Sequence, residues 1–104
     1  MPHPTIDALR PRLALPLIAA PMFLVSGVDL VVAACCAGVI GSFPTANCRS
    51  PEELDQWLKA MRTTIAGFEF ASGRAAAPIC ANLIVHKSNA RLADDLASLC
   101  RHKP

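Results

Sequence analysis

The segment Leu15–Phe43, LPLIAAPMFLVSGVDLVVAACCAGVIGSF, constrains the fold of this chain more than any other stretch. It holds two short apolar runs without polar alternation, Leu15–Ala20 and Val39–Phe43, a pattern that suits strands covered on both faces. Between them Leu30–Cys36 is apolar nearly all round, which predicts an enclosed helix. Strand, helix and strand in this order make a βαβ unit with parallel strands. Pro21 ends the first run, because a proline lacks the N–H of a central ladder, so Ala20-Pro21-Met22 falls at the C-terminal end of that strand. Ser26 is expected to cap the helix by accepting from the N–H of Asp29, whose carboxylate lies in the first turn. Gly38 supplies a left-handed stop. Gly41, inside the second strand, marks a place where another backbone or a ligand approaches closely.

The rest of the chain repeats this plan. Ser50-Pro51-Glu52-Glu53 combines an N-cap serine, a proline at the first helical position and a glutamate that closes a capping box. Leu54, Trp57, Leu58, Met61 and Ile65 then follow at spacings of three and four, one apolar stripe of an outer helix, with Trp57 and Met61 read as core packing. Gly67 to Pro78 reads as a loop or frayed extension pinned by Phe68 and Phe70. Ile79–Val85 is the third strand, apolar except for Asn82. A carboxamide there must either bond neighbouring backbone or reach a bound polar ligand. His86-Lys87-Ser88-Asn89 forms a turn, and Ser88 or Asn89 is expected to cap a last helix with Leu92, Leu96, Leu99 and Cys100 as its inner stripe. Arg101, His102 and Lys103 complement the C-terminal end of that helix dipole. Before all this, residues 1–12 form an irregular or short helical lead-in with Pro2, Pro4 and Pro11, in which His3 is solvated and Ile6 and Leu9 cover one end of the core.

Composition narrows the class. Of 104 residues, 53% are hydrophobic and 17% charged, more apolar than a domain of this size easily hides, so part of a larger body or an oligomer is expected. The net charge of +2 is scattered without a run, and there is no Tyr and one Trp, which gives nucleic-acid binding no support. Five cysteines form no CxxC pair and no Cys/His cluster at zinc spacing; no metal site is assigned, and reduced thiols in the cytoplasm are the expectation. Pro16, Pro21, Ser26 and Asp29 interrupt the only long apolar stretch, which argues against a membrane span. The same prolines and acid argue against an export signal, despite the lipoprotein-like Val32-Ala33-Ala34-Cys35.

Alternating parallel strands and helices define an α/β chain, either an open sheet or part of a (β/α)₈ TIM barrel of about three N-terminal βα units. Both architectures place function at the C-terminal ends of the strands: Ala20-Pro21-Met22, Ser42–Thr45 and Asn82–Lys87. No GxGxxG or Walker loop follows the first strand. The Ala20-Pro21-Met22 turn, Ser26–Leu30 leading into an alanine-rich helix, Ala37–Ser42, Ser50–Leu54 and Asn82–Asn89 together resemble the nitronate monooxygenase (2-nitropropane dioxygenase) family of FMN-dependent barrels. The resemblance spans about Leu15 to Lys103. Its first half is shared with other flavin barrels such as enoyl reductases and with inosine monophosphate dehydrogenase relatives, and the run Asn82–Asn89 narrows it to the nitronate group.

The resemblance implies that the backbone of Ala20, Pro21 and Met22 lies against the isoalloxazine ring of FMN and that Asn82 hydrogen-bonds the flavin. It also implies a small-molecule alkyl nitronate substrate, oxidised with molecular oxygen to a carbonyl compound and nitrite. A full barrel takes about 250 residues. Residues 1–104 are therefore expected to be the N-terminal part of one, without the family's catalytic histidine and phosphate loops, which belong to later strands. No catalytic residue is assigned; His86, a turn histidine beside Lys87, is weighed as a substitute base against a solvated or backbone-bonded role. A non-catalytic βα interaction module is the alternative, and exposed edge strands with an apolar excess point to self-association.

Overall fold

Three parallel strands in the spatial order β1-β2-β3 form the sheet: β1 (Ile18–Ala19), β2 (Ile40–Pro44) and β3 (Ile79–Asn82). Register pairs Ile18 with Ile40 and Ala19 with Gly41, then Gly41 with Ile79 through to Pro44 with Asn82. The structure, a computed structural model, describes residues 4–104, so the reading of His3 lies outside the described residues. Four helices accompany the sheet: α1 (Pro4–Leu9), α2 (Val28–Cys36), α3 (Pro51–Ser72) and α4 (Leu92–His102). The chain is thus α/β with a small parallel sheet, as the alternation of apolar runs and helix signals predicts. No helix among the described residues is long and apolar enough to cross a membrane.

The core lies between one face of the sheet and the helices. Phe43 from β2 meets Val31 and Cys35 of α2 and Leu54, Leu58, Met61 and Ile65 of α3, the predicted stripe. Trp57 packs at the edge of this cluster, its ring 5.8 Å from that of Phe43 and tilted by 49°. Gly41 points the same way: an added Cβ would lie 2.4 Å from the Val31 carbonyl oxygen and 3.0 Å from Cys35 Sγ. The close neighbour that this glycine announces is therefore the backbone of α2.

The other face is open, which corrects the expectation of strands buried on both sides. Successive residues of a strand face opposite ways. With Gly41, Phe43, Ile79 and Ala81 turned to the helices, Ile18, Cys80 and Asn82 project from the opposite face and are exposed. β2 is the exception: Ser42 and Pro44, on the same face as Cys80 and Asn82, are buried. The strands are also shorter than the apolar runs. Pro16 and Pro21 bound β1, and β3 leaves the ladder at Asn82 because its partner β2 turns away into a 3₁₀ turn at Thr45–Asn47.

Helix ends show which local signals hold. Ser50 caps α3, its Oγ accepting from Glu53 N at 3.1 Å, while Glu53 reaches back to Arg49 N rather than to Ser50. α3 runs through the expected loop to Ser72 and ends at Gly73, whose φ of 69° is left-handed. Phe68 packing on the core and the bond from Ala76 N to Glu69 Oε2, 2.8 Å, hold this extension. Phe70, expected to help pin the segment, is exposed. Gly38 ends α2 with φ 88°, as read. Ser26 does not cap that helix: Gly27 stands at the N-cap, and Ser26 turns inward to accept from Met22 N at 2.8 Å. In the lead-in, α1 leaves Ile6 exposed and Leu9 half-buried.

α4 is rotated relative to its apolar stripe. Asp95 and Ser98 are its buried residues, whereas Leu96 is 49% exposed and Cys100 is exposed. A polar seam explains the rotation. Asp55 of α3 accepts from Ser98 Oγ and from Arg101, and bonds His102 Nε2 at 3.0 Å. The Ser98 bond, then those of His102 and Arg101, hold the Asp55 carboxyl below its usual range. Arg91 pairs with the nearly buried Asp95 at 3.0 Å and donates to the Cys48 carbonyl.

Candidate functional site

The C-terminal ends of the three strands gather at one end of the sheet, since all three run parallel. There the connection from β1 to α2, residues 20–27, forms a fixed loop. Its Ala20, Pro21 and Met22 are exposed. Ser42 Oγ, buried in the middle of β2, donates to the carbonyl of Ala19 and so ties down the strand end immediately before them. Val25 N and Ser26 N both donate to the Met22 carbonyl, at 3.2 and 2.9 Å.

Asn47, which the sequence reading passes over, is the main pin of this loop. Its Nδ2 donates to the carbonyls of Met22 (3.0 Å) and Ser26 (2.9 Å), and its Oδ1 accepts from Leu24 N (2.8 Å). A side-chain amide is suited to this, because one planar group offers donors and an acceptor to three backbone partners at once. It holds Leu24 at φ 63°, a left-handed conformation that a leucine rarely adopts. The signal available in sequence is the position of Asn47 just past the second strand end, where a polar side chain faces the neighbouring strand-end loop. Replacing Asn47 by alanine removes three hydrogen bonds at a half-exposed site. A loss of about 1–2 kcal/mol is expected in urea unfolding, with faster hydrogen exchange at the Leu24 amide.

Asn82 lies at the same end, one strand beyond β2, its Cα paired with Pro44. Its side chain is exposed on the open face, not enclosed within the sheet. Asn82 and the Ala20–Met22 loop are thus separated by β2, two strand spacings or about 10 Å. The strand ends put these four sequence-predicted residues on one rim, with Asn82 apart from the contiguous Ala20, Pro21 and Met22.

His86 is exposed in the turn beyond β3, and its Nδ1 is engaged locally, accepting from Ser88 N at 3.1 Å and lying 2.8 Å from Ser88 Oγ. This matches the backbone-bonded reading. Asn89 ties the same turn, donating to the Ile84 carbonyl at 2.7 Å and accepting from Arg91 N at 3.1 Å. It therefore shapes the approach to α4 without standing at the N-cap, which is Arg91.

The thiols divide by position. Cys35 and Cys48 are buried; burial raises both, and pushes Cys48 up to about 12, with Glu53 adding to the effect. Cys80 is exposed on the open face between Ile79 and Ala81, and Cys100 is exposed on α4. No cluster of three His, Cys, Asp or Glu among the described residues is arranged to hold a metal ion.

Comparison of the chain with models of protein families, with curated proteins and with solved structures gives no match.

Proposed function

We propose that the chain forms three N-terminal βα units of a (β/α)₈ flavin barrel of the nitronate monooxygenase type, and that its strand ends make one wall of an FMN site. The observation that carries this reading is the uncovered sheet face. In a barrel the helices cover the outside, and the other face of each strand turns to the interior. Here the helices cover one face only, and the residues at the rim of the other are Ala20, Pro21, Met22 and Asn82.

These residues suit one side of a planar heteroaromatic group. The Ala20-Pro21-Met22 segment is held in place from beneath, by Ser42 at Ala19 and by Asn47 and Ser26 at Met22, so that its exposed surface is rigid before anything binds. The Met22 N–H and carbonyl are already engaged by that scaffold; Met22 therefore offers surface contact, not a polar one. Asn82 supplies a free donor and acceptor, as the edge of a flavin ring requires. Bound FMN would supply the electron-transfer chemistry by which a nitronate and oxygen give a carbonyl compound and nitrite. The residues of this chain bind and orient. His86, in the turn beyond β3, has its Nδ1 engaged by Ser88.

A titration followed by flavin fluorescence tests this. The chain is expected to quench FMN weakly, and Asn82→Ala to weaken binding about fivefold, the worth of one hydrogen bond of about 1 kcal/mol. No nitronate-dependent oxygen uptake is expected from these 104 residues alone. Tight, stoichiometric FMN with turnover, or binding indifferent to Asn82, would contradict the proposal.

A further inference from the structure

We infer that a cavity at the end of the sheet opposite the rim binds a small doubly charged oxyanion, a phosphate or a phosphate monoester, between Arg12 and Arg74. The cavity, about 330 Å³, has the size of a small-ligand site. Its walls are the segments that lead into the strands: Pro11–Ala14 before β1, Cys36–Gly38 before β2, and Arg74 with Ala75 before β3, closed by Phe68 of α3. No residue of the edge strands β1 and β3 lines it, so the site rests on walls that this chain supplies by itself. It lies at the far end of the strands from Asn82 and does not rest on the flavin reading.

Both arginines are held in place while their charge stays unanswered. Arg12 is half-buried, and its Nε donates to the Ala76 carbonyl at 2.9 Å. This fixes the guanidinium and leaves its terminal nitrogens without a protein acceptor among the described residues. Arg74 sits over the ring of Phe68, its Cζ 5.6 Å from the centroid, a contact that leaves N–H groups for a ligand. Among the described residues no carboxylate pairs with either guanidinium. Glu69, the acid nearest Arg74 in sequence, accepts from Ala76 N at 2.8 Å and lines a second cavity, which Arg12 also borders, rather than this one. The opposite wall is fixed as well. Ala14 N donates to the Gly38 carbonyl at 2.8 Å, and the missing Cβ of Gly38 is what lets the two segments touch. Two guanidinium forks on one cavity match a dianion with several acceptor oxygens better than a single carboxylate. The C-terminal turn of α2 borders the cavity too, and its partial negative charge offsets part of this attraction. A dissociation constant of about 1 mM is therefore expected, the order that two charge-assisted contacts supply.

NMR titration of the isotope-labelled chain with sodium phosphate tests this, at constant ionic strength against chloride and above neutral pH, where phosphate is doubly charged. Saturable amide shifts are expected at Arg12–Ala14, Gly38 and Ala75, with none at Asn82. Arg74→Gln, a change at an exposed residue, should weaken binding about tenfold and leave the rest of the spectrum in place. Arg12→Gln should weaken it similarly, and if that variant disturbs the fold, Arg74→Gln decides. Lys59→Gln, which removes an exposed cation of α3 outside the cavity, should leave the affinity unchanged. Glycerol phosphate bound more tightly than inorganic phosphate assigns an organic monoester as the ligand, and equal affinity assigns free phosphate. Shifts that rise without saturating, shifts scattered over all the exposed cations, or an affinity indifferent to Arg74→Gln would overturn the inference.

Discussion

Gly41→Ala is expected to destabilise the chain by about 3 kcal/mol or more, the upper range for forcing one added group into a packed core. The new Cβ would sit 2.4 Å from the Val31 carbonyl oxygen and 3.0 Å from Cys35 Sγ. Backbone cannot rotate out of the way as a side-chain tip does, so α2 must lift from the sheet. The same turn of α2 also anchors β3, because Ala77 N donates to the Cys35 carbonyl at 2.9 Å and the Cys35 thiol lies 3.5 Å from the Pro78 carbonyl oxygen. The strain therefore reaches both neighbours of α2. Gly67→Ala is the control with opposite sign. An added Cβ there meets nothing within 4 Å, on a helix interior, so a gain of about 0.5–1 kcal/mol is expected. Urea midpoints of the two variants should move in opposite directions.

Phe43→Ala is expected to cost about 3–5 kcal/mol, the range for deleting a fully buried phenylalanine. Phe43 is wholly buried at the centre of the only cluster joining β2 to α2 and α3 among the described residues. A small domain has a total stability of about 5–15 kcal/mol, and one that leaves a sheet face open belongs at the lower end. The variant should then be largely unfolded at room temperature. Trp57, 5.8 Å from the Phe43 ring, reports this directly: its fluorescence should shift to the wavelength of a solvated indole without denaturant.

How much of this was legible in the sequence depends on the range of each signal. Local, backbone-level devices read well. Ser50 and Pro51 start α3, and Gly38 stands in a left-handed stop because only glycine adopts that conformation freely, whereas the end of α3 at Gly73 lies inside the stretch expected to be a loop. The Leu54–Ile65 stripe is buried as its spacing requires. Features that depend on what lies opposite did not read. The apolar runs of β1 and β3 suggest strands covered on both faces, and apolarity alone cannot say whether the cover is present. The α4 stripe failed similarly. Its rotation follows from the bonds of Asp55 to Ser98 and His102, each more than forty positions later, a contact that no periodicity reveals. Of the rim, the location of Ala20, Pro21 and Met22 at a strand end followed from the placement of Pro21, whereas Asn82 was read inside a strand running to Val85 that in fact ends at Asn82. Asn47 was missed because its bonds run to a loop more than twenty residues earlier.

The central proposal, that a flavin lies at the strand-end rim beside Asn82, is tested most directly by the reactivity of one thiol. Cys80 projects from the open sheet face two residues before Asn82, while Cys100 on α4 is an exposed control and Cys35 and Cys48 are buried. The rate at which an aromatic disulfide reagent modifies each cysteine should be measured with and without near-saturating FMN. The account predicts that FMN slows Cys80 severalfold, leaves Cys100 unchanged, and loses this protection in Asn82→Ala. Unchanged reactivity of Cys80 with FMN bound, or equal slowing of Cys80 and Cys100, would contradict it.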